Sequence, residues 1–457
     1  MSVLKITFSN SSGYDDSEVS IGFLSGKDAA APSMTNVNGG AAINTIDGST
    51  TEFPAAGNWY SLSDLSDGVN VTSFSGRIYV CYGTTWEVQY AGYEPAQAVT
   101  DPNFFLRYDK MELTFTGDPN DVADLTSIDY WSIPMSLETK LAGVKVETAN
   151  CFLNGATAQS IYTTLTALTT PPVTNVPGPG GPDGTPLPAN VPGQFVQYPS
   201  GPAPLGTFGR VIGPSSYPPS FPAPGGIPVS PYDTQEAYLT YLNTTFGVGT
   251  TVGATVAGLG NGVIASIKGN FAGVGPNVPP TGPQSAQTYD LSATIDSDLT
   301  VTLTGTVSGV EGTTTMVFTA DSIYNSDGFY GGNAAFTLNG ASSTITPAND
   351  VYGWVCGDLF SGLNIGALGS SVAISGTAAG AMESSKWFTD IPNSDFFSGL
   401  QPGTTYYNQW AAALSQLTDA YNFAYTDRFA HVLVSLNPAT VDQLEISLPD
   451  GKVAITD

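Results

Sequence analysis

Charged side chains are scarce in this sequence. Asp, Glu, Lys and Arg make up only 11% of the 457 residues, whereas about a quarter is usual in soluble domains. The 12 Lys and Arg stand against 39 Asp and Glu, which gives a formal net charge of −27. Nucleic acids and anionic membrane surfaces are bound through basic patches, so the sequence argues against both as partners. An anionic substrate is disfavoured for the same reason, whereas a neutral one is compatible.

Histidine and cysteine are nearly absent. The chain has one histidine, His431, and three cysteines, Cys81, Cys151 and Cys356. A Cys/His zinc site, a Ser-His triad and a Cys-His dyad all need such residues in spaced groups, so none of these is expected. The odd cysteine count leaves at least one thiol free, and whether Cys81 and Cys151 pair stays open. Chemistry in this chain must rest on carboxylates, Tyr, Lys or Ser.

Long apolar runs are also missing. No window is apolar over the roughly 20 residues that a membrane-spanning helix needs, and the start "MSVLKITFSNSSGYDD" lacks the pattern of a secretory leader. Gly, Ser, Thr, Asn and Tyr replace the charged residues, as is typical of β-rich extracellular proteins. We therefore expect a secreted protein whose leader has been replaced by Met1; another export route and an intracellular location are the alternatives.

The residue pattern predicts a mainly β protein with additional α+β structure. Residues 1–145 hold short alternating strands separated by turn residues, which is typical of a barrel or a sandwich. Two strands near the end, "AHVLVSLN" and "DQLEISLPDG", are expected to return to that sheet, so that residues 429–457 complete the first domain. Residues 146–428 then form a mixed α/β domain.

Within residues 146–428, helical and strand patterns flank an irregular segment. Helices are predicted at 156–168, at 233–247 with Asp233 as the N-cap, and at 404–423. The Pro/Gly-rich stretch 169–206 predicts an inserted loop or linker. Thr/Val-rich alternation over 290–345 predicts a second sheet.

The stretch "YDKMELTFTGDPNDVADLTSIDYWSIPM", residues 108–135, places one acid on each of two predicted strands joined by a polar turn. Met111, Leu113 and Phe115 are expected to face the core, so Glu112 points the other way. If the strands pair, Glu112 and Asp129 can share a face, where one carboxyl could donate a proton to a glycosidic oxygen and the other could activate a water molecule. A separation of about 6.5–9.5 Å suits inversion and about 5–5.5 Å suits retention, and the sequence does not choose. The alternative is two solvated strand residues.

Aromatic residues crowd the same β region, and flat sugar faces stack on such rings. The candidates for a sugar platform are Trp59, Tyr79, Tyr82, Trp86, Tyr90, Tyr93, Tyr130 and Trp131. The alternative is that most of these rings are core or cross-strand packing.

Several ordered blocks of the sequence resemble glycoside hydrolase family 64, the thaumatin-like endo-β-1,3-glucanases of the laminaripentaose-producing type. The blocks are "SGRIYVCYG" (75–83), "DPNFFLRYD" (101–109), "YDKMELT" (108–114), "TSID" (126–129) and Pro134, followed by the weaker "GRVIGPSS" (209–216), "NDVYGWVCGDLF" (349–360) and "YNFAYTDRF" (421–429). The resemblance touches the whole chain and is dense over roughly residues 70–140.

The resemblance implies a thaumatin-like β-barrel domain beside a mixed α/β domain, with a wide groove between them. It implies that β-1,3-glucan is cut with inversion, that Glu112 is the general acid and that Asp129 is the general base. Thr114 and Thr126 match threonines at the catalytic centre, and no metal or organic cofactor is required. In "YNFAYTD" Thr426 stands where an acid is common, which leaves Asp427 as a candidate groove residue or, alternatively, a residue at the end of a helix packed on the core.

The expected partner is therefore a neutral polysaccharide, β-1,3-glucan, bound by a monomer through Trp131, Tyr130, Trp86 and Tyr79 among others. Two rival functions remain. A non-catalytic glucan-binding protein would keep the groove and the aromatic rings, but its two acids would not differ in pKa. A structural β-rich surface protein would have no groove, and Glu112→Gln would affect only its stability.

Overall fold

The computed structural model describes most of the chain. The described residues are 2–26, 29, 31–46, 58–83, 85, 86, 93–97, 101, 103, 106–168, 195–197, 208–216, 235–249, 256, 258–271, 286–324, 328–347, 350–426 and 432–454. The predicted insertion at 169–206 lies almost wholly outside them, as do Tyr90, Asp233, Asp427 and His431.

Strands dominate the described part of the chain. They are β1 (Leu4–Asn10), β2 (Val19–Ser25), β3 (Ser33–Asn36), β4 (Trp59–Ser61), β5 (Val69–Tyr82), β6 (Arg107–Phe115), β7 (Val122–Leu125), β8 (Tyr130–Trp131), β9 (Ser136–Leu141), β10 (Val144–Ala149), β11 (Phe195–Gln197), β12 (Phe208–Ile212), β13 (Val263–Phe271), β14 (Gln287–Ile295), β15 (Val301–Val307), β16 (Thr314–Phe318), β17 (Thr337–Leu338), β18 (Ala373–Ile374), β19 (Thr377–Ala378), β20 (Leu433–Ser435) and β21 (Gln443–Leu448). The α-helices are α1 (Ala158–Thr166), α2 (Gln235–Phe246), α3 (Ala320–Tyr324), α4 (Val351–Ile365), α5 (Ser384–Asp390) and α6 (Gln409–Ser415). The prediction of a mainly β protein is confirmed.

The chain divides into two compact units. The first contains residues 1–218, 413–422 and 430–457, and the second contains 219–412 and 423–429. Residues 146–218, which the sequence pattern assigned to the second domain, lie with the first unit because β10 pairs with β9 and β12 pairs with β8. The predicted boundary at 145, the thaumatin-like type of barrel and the wide groove stay predictions.

The first unit is built around an 11-stranded sheet whose main path runs β10-β9-β21-β1-β5-β6-β7-β20. β1 pairs in parallel with β21 and antiparallel with β5, so the end of the chain is built into the sheet beside its start. The two ends of the path approach each other, because the Ser435 backbone N–H donates to Glu147 Oε2 at 2.7 Å. The sheet is therefore nearly closed and barrel-like.

Alternation along β5 and β6 separates two buried layers. Ile78, Val80, Met111, Leu113 and Phe115 belong to the larger apolar core, and the predicted inward face of β6 is confirmed. The opposite face of the same two strands contributes to a smaller cluster, which contains Tyr79, Cys81, Trp86, Tyr93, Tyr108 and Tyr130. Since the side chains of a strand alternate between faces, polar residues in register with Tyr79 emerge on this second face.

The second unit combines a five-stranded antiparallel sheet, β13-β14-β15-β16-β17, with helices. The strands predicted over 290–345 are present, whereas β13 was not predicted. α4 was not predicted either, although it is buried along most of its length. The Asp350 carboxylate caps α4 by accepting from the backbone N–H groups of Tyr352 and Gly353, and Gly366 ends it in the left-handed conformation.

Two predictions of local structure need correction. The helix expected at 404–423 is only Gln409–Ser415, because the residues after it turn away to pair with other backbone: Leu153 N–H donates to Leu417 O, and Tyr421 N–H donates to Leu125 O. The strand expected to carry Asp129 is replaced by the two-residue β8 and the separate β9. The predicted helices at 156–168 and 233–247 are present as α1 and α2.

Candidate active site

A row of polar side chains lies on the second face of β5 and β6. The antiparallel register pairs Ser75 with Thr114, Arg77 with Glu112, and Tyr79 with Lys110. Directly paired residues point to the same side of a sheet, so all six side chains emerge together. Glu112 faces away from the apolar core, as its alternation with Met111 and Leu113 predicts.

Asp129 also lies at this face, but it is held there by an element that the sequence pattern did not predict. The strand that pairs with β6 is β7, and there Asp124, not Asp129, lies opposite Glu112. Asp129 follows β7 in a bend just before β8, so the prediction that it lies on the second strand of the hairpin is wrong. The bend is held by β12 and the turn after it, where Gly213 N–H donates to Asp129 O at 2.7 Å and Ser215 Oγ donates to Ile128 O at 2.6 Å.

Lys110 joins Asp129 to the polar row. Its Nζ donates to Asp129 Oδ2 at 2.6 Å, while Ser216 Oγ donates to Asp129 Oδ1 at 3.0 Å. Only 6% of the Lys110 side chain is exposed, against 30% for Asp129. Burial alone would raise the pKa of Asp129, but the charge and hydrogen bond of Lys110, with the Ser216 hydroxyl, outweigh it and hold that pKa below its usual value. Asp129 is thus held as a carboxylate.

Glu112 has a different cation. Arg77 Nε donates to Glu112 Oε1 at 3.0 Å, and the exposed fraction of the Glu112 side chain is 42%. Lys110 and Glu112 are two residues apart on one strand, which corresponds to about 7 Å. Glu112 and Asp129 therefore occupy one face of the sheet, each beside its own basic residue, and Glu112 is the more exposed of the two.

A third carboxylate, Glu94, lies between the two cations. It accepts hydrogen bonds from Arg77 Nη1 and, at 2.5 Å, from Tyr79 Oη, and its Oε2 lies 3.9 Å from Lys110 Nζ. Sequence reasoning missed Glu94, because it lies in a segment outside the regular strands and has no partner nearby in the chain. The available signal was its rarity: it stands in "GYEPAQ", in a chain with few charges.

A cavity of about 250 Å³ opens beside these groups. It is lined by Tyr79, Glu94, Pro95, Ala96, Gln97, Lys110, Asp129, Tyr130 and Ser216. The lining therefore combines two carboxylates, a buried ammonium, three hydroxyl groups and one side-chain amide. Such a lining can activate a water molecule and hydrogen-bond the hydroxyls of a neutral ligand.

Four of the candidate aromatic residues are packed inside the first unit. Tyr79, Trp86, Tyr130 and Trp131 are all buried. Tyr79 and Trp86 pack against each other, with ring centroids 4.6 Å apart, and both pack against Tyr108, as does Tyr130. Burial leaves these four rings without an exposed face, so the structure corrects the stacking expectation for them. Tyr79 and Tyr130 contribute to the cavity lining instead.

The two predicted threonines lie in different places. Thr114 is half-buried in the polar row, and its Oγ1 lies 2.9 Å from Ser75 Oγ. Thr126 is buried and lines, with Trp131, a separate cavity of about 20 Å³. The structure therefore brings Thr114, Glu112 and Asp129 to one face and does not bring Thr126 or Trp131 to the 250 Å³ cavity.

Asp109, which precedes Lys110, anchors the backbone that follows the Asp129 bend. Its buried carboxylate accepts from the backbone N–H groups of Lys110, Ser132 and Ile133 at 2.8–2.9 Å. Burial raises the pKa of Asp109 to about 7, against the opposing effect of those three N–H groups. The carboxylate thereby ties β6 to the segment that follows Asp129.

Within the described residues, no three His, Cys, Asp or Glu side chains converge in a way that suits a metal ion. In the same part of the chain, no helix combines the length and the apolar character of a membrane span.

The large sheet and its acid-bearing face identify a class of protein. Residues 2–172, which contain β1–β10 and both acids, match the family model described as Beta-1,3-glucanase, glycoside hydrolase family 64. The match confirms the predicted resemblance to family 64 over these residues, which are fewer than half of the chain. It supports a glycoside hydrolase, an endo-1,3-β-glucanase.

Solved structures show the same fold over nearly the whole chain. A crystal structure of a laminaripentaose-producing β-1,3-glucanase in complex with laminaritetraose is 15% identical, with a TM-score of 0.52 and coverage of 99% of each chain. A β-1,3-glucanase domain from Clostridium beijerinckii is 10% identical, with a TM-score of 0.50 and coverage of 98% of each chain. No curated protein sequence matches the chain.

Proposed function

We propose that the chain hydrolyses β-1,3-glucan with inversion at the anomeric carbon, with Glu112 as general acid and Asp129 as general base. The observation that carries the proposal is the placement of both acids on one face of β5–β6 beside different cations. Asp129 is held ionised by Lys110, as a base must be, and it lines the cavity. Glu112 is the more exposed acid and so the more accessible to a leaving oxygen.

The proposed reaction is a single displacement. Asp129 accepts a proton from a water molecule, whose oxygen attacks the anomeric carbon from the side opposite to the leaving group. Glu112 donates its proton to the glycosidic oxygen as the carbon–oxygen bond breaks. The 250 Å³ beside Asp129 exceeds the roughly 30 Å³ that one water takes up in the liquid, so both a water and part of a sugar ring can enter.

The substrate follows from chemistry and family together. A chain with net charge −27 repels polyanions and is compatible with a neutral glucan. The family model is that of β-1,3-glucanases, and one structural relative was crystallised with laminaritetraose. We also propose action outside the cell and as a monomer, in keeping with the low-charge, Gly/Ser/Thr-rich composition.

The test is a product assay on soluble β-1,3-glucan beside β-1,4- and α-glucans. Wild type, Glu112→Gln and Asp129→Asn are compared with Glu138→Gln, a control that neutralises an ion-paired acid on β9. Loss of a general acid or base is expected to lower kcat by about 10²–10⁴-fold, while the control keeps wild-type activity. NMR of the first product shows whether the anomeric configuration inverts.

Two outcomes would replace the proposal. Wild-type protein that binds β-1,3-glucan and releases no sugar would favour a glucan-binding protein. Protein that neither binds nor cuts any of the glucans would leave a structural role.

A further inference from the structure

Glu94 is the third carboxylate of the site, and the proposed reaction assigns it no role. It bonds Arg77, which also bonds Glu112, and it lies 3.9 Å from Lys110, which also bonds Asp129. Tyr79 Oη fixes its other oxygen at 2.5 Å. Glu94 is thus the one group within the described site that touches the counter-ion of both proposed catalytic acids.

The position of Glu94 matters because Glu112 faces two opposing requirements. A general acid must hold a proton when the substrate arrives, yet a guanidinium in contact with a carboxylate favours its ionised form. Because Arg77 also bonds Glu94, part of its charge is neutralised by a second anion.

We propose that Glu94 is a positioning residue for the reaction, whose carboxylate shares Arg77 and Lys110 so that Glu112 retains the proton it donates while Asp129 stays ionised. The inference rests on the proposed roles of Glu112 and Asp129. The effect on the two acids is unequal, since Lys110 is much closer to Asp129, at 2.6 Å, than to Glu94, at 3.9 Å. Glu94 therefore influences mainly Glu112, the proposed general acid, and has less effect on Asp129.

One further carboxylate faces the proposed acid from a neighbouring strand, because Asp124 on β7 lies opposite Glu112 in the register. From β2, Leu24 lies opposite Arg77 and brings no charge. Beyond Asp129, the nearest groups are the Ser215 and Ser216 hydroxyls, which do not titrate. Tyr79 stays neutral because burial, with Glu94 beside it, raises its pKa.

The experiment is the pH dependence of kcat/KM in Glu94→Gln, which keeps the size of the side chain and removes its charge. The alkaline limb of the profile reports the acid and the acidic limb reports the base. Removing a carboxylate that shares a cation with Glu112, at partly exposed positions, is expected to move the alkaline limb down by roughly one pH unit. The acidic limb moves less, so the profile narrows and activity above neutral pH falls roughly tenfold.

Three comparisons make this result specific. Glu94→Asp, which restores the charge, is expected to recover at least half of the shift, and Glu138→Gln is expected to leave the profile in place. A uniform loss of activity at all pH values, or no change in the limbs, would refute the proposal. If Glu94→Gln does not fold by circular dichroism, Glu94→Ser takes its place.

A second readout separates this inference from the proposed function. The titration of the Glu112 carboxyl carbon by NMR, in wild type and Glu94→Gln, needs no substrate. A lower midpoint in the variant supports the charge sharing even if wild-type protein cuts no glucan, in which case only the proposed function fails. Equal midpoints overturn the inference whatever the activity.

Discussion

Replacing Lys110 by Met tests whether its ammonium, and not its packing, holds Asp129. Met keeps most of the buried aliphatic stem and removes the charge that lies 2.6 Å from Asp129 Oδ2. Breaking a buried ion pair from one side costs about 3–5 kcal/mol, because it leaves an unpaired buried charge. Since 30% of the Asp129 side chain is exposed, water screens part of this, and about 2 kcal/mol is expected at pH 7.

The cost should depend on pH in a defined direction. In the wild type the folded-state pKa of Asp129 is lowered, so its contribution to stability is present above the unfolded value of about 3.9 and is lost as the pH falls through the folded value. In Lys110→Met, burial is no longer outweighed and the pKa of Asp129 rises. Its ionisation then opposes folding at pH 7, and the penalty fades as the pH approaches about 4, where the unfolded chain also binds the proton.

Urea denaturation at pH 7 and pH 4.5 measures this difference. Lys145→Met is the matched control, because Lys145 is 58% exposed and pairs with Glu138 on the surface; it should change stability by about 0.5 kcal/mol or less at both pH values. The double variant Lys110→Met/Asp129→Asn should recover most of the loss at pH 7. An equal cost of Lys110→Met at both pH values, or a double variant as unstable as the single one, would show that Lys110 acts through packing.

Two further substitutions test the surroundings of the site. Asp109→Asn should lower the free energy of unfolding by about 1–3 kcal/mol, because an amide cannot accept from all three backbone N–H groups that the carboxylate now serves; an unchanged melting temperature would contradict the anchoring role. Thr114→Val removes the partner of Ser75 Oγ and should cost about 1 kcal/mol or less, and it should raise KM with little change in kcat. A fall in kcat alone would instead place Thr114 in the chemical step.

The strands that carry Glu112 could be predicted because their pattern is local. Met111, Leu113 and Phe115 alternate with polar residues and bury one face, as a half-buried strand requires. The position of Asp129 could not be predicted in the same way. "TSIDYW" alternates like a strand, but only its last two residues, Tyr130 and Trp131, pair with a strand, and that strand is β12, about 80 residues further along the chain. The sequence pointed to Asp129 as a candidate, but it did not reveal the element that holds this residue.

The helix α4 shows a second limit of local patterns. Its sequence "VYGWVCGDLFSGLNI" contains three glycines and β-branched residues, which disfavour helix in isolation. Close packing explains why residue 362 is a glycine, because an added Cβ would come within 2.4 Å of the Trp387 ring. Glycine is therefore required by the close approach of Trp387, a contact between segments that no window of the sequence contains. Glu94 escaped prediction for a related reason, since its meaning lies in neighbours from β5 and β6.

Two carboxylates on one sheet face cannot serve as acid and base at one pH unless their surroundings differ. In this site the difference does not come from the acids themselves. Asp129 has the close ammonium of Lys110 and a serine hydroxyl, whereas Glu112 shares the guanidinium of Arg77 with Glu94. The chain has only 12 Lys and Arg, and two of them lie between these three acids. It follows that exchanging the two cations, Arg77 and Lys110, with both acids left in place, should be enough to disturb the proposed division of roles.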